Sequence, residues 1–426
     1  MPKSFAQKLF GQTMLKATRL TGKGQLMDAT RMIQRALASL NPLPANDPAN
    51  QPFAEPDARP VAPFTSRQAV NDPDIIDVEA HDITPRRQAP TVPVDQPETA
   101  KPAPPSAGAE PSKPVAASPV DQARRPSAFT EGSIQFKGDH YPYRLYLPAG
   151  PSTGAATAGA AMPLVVLLHG CKQDALDFSK GTGMNALADQ QQFAVLYPQQ
   201  IAKANAGSCW NWFETEHQSR SGEPGMIAAL VKKMLEADHG GLRIDANRVY
   251  IAGLSAGGAM ATITAGLYPE LFAAVGVHSG LPAGSANSMI GAFSAMRRGS
   301  SAGEPAANAI PTIVFHGTQD QTVHPDNGEH ISASALAALK KSGVAFEKTE
   351  TKVSSKGDKP ANRVVYQDAS GKPLVEHWQV SNGGHAWFGG ASAGSYTDPQ
   401  APSASQAMLA FFMQHSQTGQ AESGTK

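Results

Sequence analysis

The stretch RVYIAGLSAGGAMATITAGLY, Arg248 to Tyr268, joins an apolar run to a run of small and apolar residues through the pentapeptide Gly253-Leu-Ser255-Ala-Gly257. The pentapeptide fits G-x-S-x-G, a pattern that can set a serine on a sharp, strained turn between a buried strand and a helix. The pattern alone selects nothing, because it recurs at Gly150 to Gly154, Gly299 to Gly303 and Gly390 to Gly394. Context separates the four. Ser152 lies in a Gly, Ala and Thr rich stretch, Ser301 in RRGSSAGEPAANA and Ser392 in FGGASAGSY, none of which follows a strand pattern and opens a helix. Ser255 follows Val249-Tyr250-Ile251-Ala252 and opens a helix pattern over residues 256–267. Gly253 and Gly257 are expected where a Cβ would stop the turn from closing, and Gly258, Ala259 and Ala261 where the helix approaches a sheet.

Working outward, the short strand-like runs are apolar almost throughout: Leu164 to Leu168, Phe193 to Tyr197, Arg248 to Ala252, Ala273 to Val277 and Thr312 to Phe315. Helical patterns such as Met226 to Ala237 lie between them. Fully apolar strands alternating with helices predict an α/β domain, a mainly parallel sheet covered on both faces. SIQFKGDHYPYRLYLP, just ahead of these runs, alternates around a turn and predicts an antiparallel hairpin.

The chain divides into zones. Residues 1–40 carry seven Lys or Arg against one acid, Asp28, with Leu26, Ala29, Ile33, Leu37 and Leu40 at helical spacing, broken at Thr21-Gly22-Lys23-Gly24. Two readings of this basic amphipathic segment stay open: a helical hairpin docking on an apolar surface or on itself, and association with a membrane or lipid-coated body. Residues 41–126 predict a disordered linker, because 19 of the 35 prolines fall between residues 42 and 126 and little apolar surface offsets the ordering entropy. Residues 127–415 form the expected globular domain, and residues 416–426 a disordered tail.

Composition excludes several classes. Lys plus Arg equal Asp plus Glu at 36 each, so no overall field suggests nucleic acid as a partner. The longest strongly apolar run, Leu164 to Leu168, falls far short of the ~20 residues that cross a bilayer. No continuous apolar signal-peptide core is recognisable near the start, which makes the cytoplasm the expected location. Cys171 and Cys209 are too few for a disulfide framework and lack metal-ligand spacing, leaving a single bridge open.

A serine on such a turn becomes a nucleophile only with a base and an orienting acid, which follow it in chain order on this type of sheet. PTIVFHGTQDQTVHP is a buried strand running into a loop that holds Asp320. Its rivals are Asp326 and Glu329; Asp326 is followed by a helix pattern that contains Glu329 and looks like a first-turn or capping acid. VEHWQVSNGGHAWFGG offers two histidines: His377 sits inside a strand pattern, whereas His385 sits past its end in a glycine loop that permits close approach to the serine. Ser255, Asp320 and His385 are therefore the expected catalytic set. His278, His316 and His324 read as packing or loop histidines. Donors for a developing oxyanion are expected from the backbone N–H of Ala256 and from the loop after PLVVLLHGC, where the Cys171 N–H is well placed and His169 shapes the loop.

LLHGCKQDALDFSKGTGMNALADQQQFAVLYPQQ, CWNWF, RVYIAGLSAGGAMA, FHGTQDQTV and NGGHAWFGG, in that order, resemble the poly(3-hydroxybutyrate) depolymerase family of esterases, kin to feruloyl and acetylxylan esterases. The resemblance covers roughly residues 130–415. It implies an α/β-hydrolase fold, Ser255, Asp320 and His385 as triad, and Cys171 and Ala256 as oxyanion donors, with no metal or cofactor. It implies an ester substrate, with hydroxybutyrate oligomers, polyhydroxyalkanoate or short-chain esters first and feruloyl or acetyl esters of plant sugars as the alternative. A second class of function is a granule- or membrane-surface protein with little catalysis, bound through residues 1–40. Many family members are secreted, which gives an extracellular location as the alternative to the cytoplasm. Trp210, Trp212 and Trp387 resemble an aromatic lining for an acyl chain, with core packing as the competing reading. The resemblance also places CWNWF beside the site, so Cys171 and Cys209 are expected to be close, either bridged across the oxyanion loop or as two reduced thiols.

Overall fold

The structure, a computed structural model, describes residues 125–150, 161–300, 308–355 and 357–417. All of them belong to the compact unit Glu110–Lys426. The segment 1–40, nearly all of the expected linker 41–126, most of the tail 416–426, and Ser152 and Ser301 lie outside the described residues.

The predicted hairpin forms β1 (Ala128–Phe136) and β2 (Asp139–Leu147), paired antiparallel from Phe136–Asp139 to Ala128–Leu147. Its two-residue turn uses Lys137 and Gly138, both at positive φ (50° and 86°). Such a pair of left-handed residues matches the twist of the flanking strands. The apolar runs form β3 (Ala161–Leu168), β4 (Ala194–Pro198), β5 (Arg243–Leu254), β6 (Ala274–His278) and β7 (Thr312–Gly317). Three further strands, β8 (Glu347–Val353), β9 (Ala361–Gln367) and β10 (Pro373–Val380), complete a ten-stranded sheet in the order β1-β2-β4-β3-β5-β6-β7-β10-β9-β8. The stretch from β4 to β10 is parallel throughout, and the flanking strands are antiparallel. A small parallel pair, β11 (Trp387–Phe388) and β12 (Thr397–Asp398), stands apart.

The period of two along each strand divides the core. Leu164, Val166 and Leu168 of β3 pack on one face with Ile251, Val277 and Val314, under α3 (Glu223–Glu236) and α4 (Ala256–Leu267). Val165 and Leu167 pack on the other with Tyr250, Phe315 and Val380, under α1 (Ala175–Thr182), α2 (Met184–Gln191) and α7 (Ala404–Phe412). The central strands are apolar on both sides because both faces are covered. Two more helices, α5 (Met289–Arg298) and α6 (Asp326–Lys341), follow β6 and β7. This is the expected α/β-hydrolase architecture.

The antiparallel extension β8–β9 was not among the strands read from the sequence. EKTETKV in β8 is exposed along nearly its whole length. An edge strand with charge on both faces carries no apolar alternation to betray it, and the same charges discourage pairing with another chain.

Candidate active site

The turn at Ser255 forms because its neighbours have no side chains. A Cβ on Gly253 would overlap the backbone of Gly257, and one on Gly257 would overlap the carbonyl oxygens of Leu168 and His169. Gly257 thereby brings the end of β3 against the start of α4. Ser255 itself sits at φ 57°, ψ −120°, a conformation that L-residues rarely adopt and that the surrounding packing must enforce. Its N–H donates to the His278 carbonyl at 2.9 Å, and its own carbonyl accepts from Ala259 N at 3.0 Å, so strand and helix both pin the turn. The residue is 7% exposed.

The parallel register carries the other two groups to the same edge. Leu254 pairs with His278, His278 with Phe315, and Gly317 with Val380, so β5, β6, β7 and β10 end together. The loop after β7 holds Asp320 and the loop after β10 holds His385. Close passage of Gly317 against Gly383, where a Cβ would overlap the Gly383 carbonyl, brings the two loops into contact. His385 Nδ1 lies 2.8 Å from Asp320 Oδ2. The other carboxylate oxygen accepts from Thr322 N at 2.9 Å and Val323 N at 2.8 Å. Burial alone would raise the Asp320 pKa, yet hydrogen bonds from His316, His385 and the Val323 N–H hold it far below the usual carboxylate range. An ionised Asp320 accepts from Nδ1–H and leaves His385 Nε2 as the free, basic nitrogen.

Of the other histidines near this edge, His278 packs in the core, His316 supports Asp320 and His324 lies in a loop. His278 is fully buried, accepts from Phe388 N at 3.1 Å and stacks on Trp387 at 5.1 Å. Burial, followed by the neighbouring His316 and His385, pushes its pKa well down, so it stays neutral. His316 bonds the Val323 carbonyl through Nε2 at 2.8 Å, and His324 lies in the loop ahead of α6. His377 is inside β10, and Asp326 and Glu329 lie in the first turn of α6.

At the same sheet edge, the loop after β3 offers the Cys171 N–H. Neither this group nor the Ala256 N–H makes a hydrogen bond among the described residues. His169 does shape the loop: Gln200 N donates to its Nε2 at 3.1 Å, which places the proton on Nδ1, 2.8 Å from the Gly170 carbonyl. Burial lowers its pKa and keeps that tautomer neutral. Cys171 and Cys209 form a disulfide with Cα atoms 4.2 Å apart.

The three tryptophans correct the sequence reading. Trp210, Trp212 and Trp387 are 0%, 3% and 1% exposed. Trp210 donates to the His169 carbonyl at 3.1 Å and Trp387 to Ser405 Oγ at 2.9 Å, while Trp212 packs edge-on against Phe213. They are core residues behind the site rather than a lining for an acyl chain, because each ring is enclosed by the protein. Their nearness to the site in sequence reflects the walls they support.

Several supporting residues escaped the sequence reading. Glu223, at the start of α3, has its carboxylate buried and accepts from Asn211 N at 2.8 Å, Asn211 Nδ2 at 2.7 Å and Gln200 Nε2 at 2.5 Å. Burial raises its pKa against the lowering effect of His217 and these bonds. In sequence it resembles any first-turn acid ahead of a proline, and only the fold brings Gln200 and Asn211 to it. Gln173, two residues beyond Cys171, is 4% exposed and also fully engaged. Among the described residues no group of three His, Cys, Asp or Glu side chains is placed to hold a metal ion, and no helix is long and apolar enough to cross a membrane.

Residues 141–344 match the family model described as Esterase PHB depolymerase, a span that includes Ser255 and Asp320 and ends before His385. Poly(3-hydroxyalkanoate) depolymerase C of Paucimonas lemoignei is 35% identical over 240 residues, 53% of this chain and 55% of the relative. Poly(3-hydroxybutyrate) depolymerase of Ralstonia pickettii is 29% identical over 264 residues, 58% of this chain and 51% of the relative. Acetylxylan esterase A of Talaromyces purpureogenus is 25% identical over 283 residues, 59% of this chain and 68% of the relative. A solved acetyl xylan esterase from Aspergillus awamori superposes with a TM-score of 0.49 at 19% identity, covering 67% of this chain and 99% of that one. The chain spans about half the length of the two depolymerases it matches. The region that holds the strained Ser255 turn and its Asp320 loop matches the model of the PHB depolymerase esterases and resembles their curated members.

Proposed function

We propose that this domain hydrolyses carboxylic esters through an acyl-enzyme on Ser255, with hydroxybutyrate oligomers, polyhydroxyalkanoate or short-chain esters as the first substrate class. The observation that carries the reading is a convergence of groups at one edge of the parallel sheet. It combines a serine on a strained turn, an Asp320–His385 pair 2.8 Å apart, and the unspent N–H groups of Cys171 and Ala256. His385 Nε2 takes the Ser255 proton as Oγ attacks the ester carbonyl carbon, and the two N–H groups receive the charge that develops on the carbonyl oxygen. The same nitrogen then protonates the departing alcohol, and a water deprotonated by His385 releases the acid from Ser255. Asp320 holds the imidazole in the required tautomer throughout.

Relatives named as acetylxylan and feruloyl esterases support a second reading within the class, hydrolysis of acetyl or feruloyl esters of plant sugars. A surface-binding protein with little catalysis is disfavoured by the complete Ser, Asp and His set. The disulfide supports an oxidising compartment, and so the extracellular alternative over the cytoplasmic expectation.

The test is kcat/KM for p-nitrophenyl acyl esters, feruloyl esters and hydroxybutyrate oligomers, with Ser255→Ala beside the wild type. Ser255→Ala is expected to lower kcat by the order of ~10⁶, the loss known for a deleted serine-protease nucleophile, while Ser392→Ala stays near neutral. Activity of Ser255→Ala equal to wild type would overturn the mechanism.

A further inference from the structure

We propose that Gln173, with Asp177 and Ser395, is a positioning clasp that sets the oxyanion loop against the loop carrying His385. The proposal rests on the ester-hydrolysis reading above.

Gly170 immediately precedes Cys171, whose N–H must meet the developing charge. Its own N–H donates to Gln173 Oε1 at 2.9 Å. The other end of the same amide donates to Asp177 Oδ2 and to the Ser395 carbonyl, both at 3.0 Å. Asp177 in turn accepts from Ser395 N at 2.8 Å and from Ser395 Oγ at 2.6 Å. Ser395 is 222 residues from Gln173 in the chain, so these bonds join two separate loops.

The second loop is tied to the segment that carries the base. Trp387 N donates to the Tyr396 carbonyl at 2.7 Å, and Gly389 N to the Asp398 carbonyl at 2.8 Å. His385 stands two residues before Trp387, and Ser395 one residue before Tyr396. The glycines of GGASAG, which imitate the nucleophile pattern, have a steric role here: a Cβ on Gly394 would overlap the backbone of Gly181 in α1. That close passage lays Ser395 on Asp177. The clasp therefore ties the Cys171 N–H and the His385 ring to one reference point, and catalysis needs these two groups in register to a fraction of an ångström.

Only an amide of this length fits the site. It needs an acceptor toward Gly170 and a donor toward Asp177 and Ser395. Glutamate keeps the first and sets a carboxylate against two acceptors. Alanine supplies neither.

The test compares wild type with Gln173→Ala, Gln173→Glu, Ser395→Ala and the pair Gln173→Glu/Asp177→Asn. The readouts are kcat and KM on p-nitrophenyl butyrate, Ki of an alkyl trifluoromethyl ketone that adds reversibly to the serine, active sites titrated with a fluorophosphonate, and Tm. Per titrated site, Gln173→Ala and Gln173→Glu are expected to lose on the order of 10–100-fold in kcat, with a matching loss of ketone affinity and a KM changed by less than about threefold. The pair is expected to recover part of the Gln173→Glu loss, since the Asp177→Asn change supplies an amide that can donate to the new carboxylate. Ser395→Ala keeps the bonds of Gln173 to Gly170 and Asp177 and should fall in between, which preserves the test if a Gln173 variant does not fold. Changes confined to Tm and the titratable fraction, with kcat and Ki per site intact, would overturn the clasp and leave a merely structural contact. A wild type that neither hydrolyses any ester nor reacts with the fluorophosphonate would instead overturn the esterase reading on which the clasp rests.

Discussion

Removing the disulfide by Cys171→Ala/Cys209→Ala tests stability and site geometry together. The bridge closes a loop with a sequence separation of 38. In the chain-entropy picture such a cross-link removes about 13 cal/mol/K from the unfolded ensemble, or about 4 kcal/mol at 25 °C. For a domain of this size that corresponds to roughly 6–8 °C in Tm. Equilibrium urea unfolding measures the first quantity and a thermal scan the second, both without reductant. If Cys171 supplies the oxyanion N–H proposed for it, and because Cys209 opens the segment anchored by Glu223, the variant should also lose kcat by about tenfold or more while KM holds. Two results would refute the reasoning: two free thiols counted on unfolded, unreduced wild type, or a double variant with wild-type unfolding midpoint and kcat.

Asp320→Asn is expected to cost about 10³–10⁴-fold in kcat, as the equivalent change does in a serine protease, because an amide no longer enforces the Nδ1–H tautomer of His385. Single-turnover kinetics with a p-nitrophenyl ester check it, and a loss below tenfold would show that other contacts orient the ring. His377→Leu addresses acid lability. Burial, then the neighbouring His316, pushes the His377 pKa down to about 4, and its buried Nε2 has no hydrogen-bond partner among the described residues. The unfolded chain binds a proton there at ~6.5, so the folded state is undisturbed above that pH and loses up to about 3 kcal/mol as pH falls from 6.5 to 4. Urea unfolding at pH 7, 5 and 4 should show a flatter decline in His377→Leu; identical slopes in the two proteins would exclude this residue as a source of acid lability.

The sheet and the Ser255 turn are written in the residue pattern. Where a strand is buried on both faces its run is apolar rather than alternating, so β3, the second half of β5, and most of β6 and β7 announce themselves. The Ser255 turn was legible because its requirement is local: a strand, a helix and glycines where the backbone of Gly253, Gly257 and Leu168 converges. Asp320 and His385 were legible because each follows a recognisable strand end. What fills the space around them depends on packing. Trp210, Trp212 and Trp387 are apolar and polar at once, and the same residue serves a wall or a core; only the folded chain shows that they are enclosed. The partners of Gln173, Glu223 and Asn211 lie on other loops and helices, and a buried amide or carboxylate carries no mark of its distant partner in the residues beside it. Periodicity and local sterics run along the chain, whereas hydrogen bonds between loops exist only once the parallel strands have brought their ends to one edge.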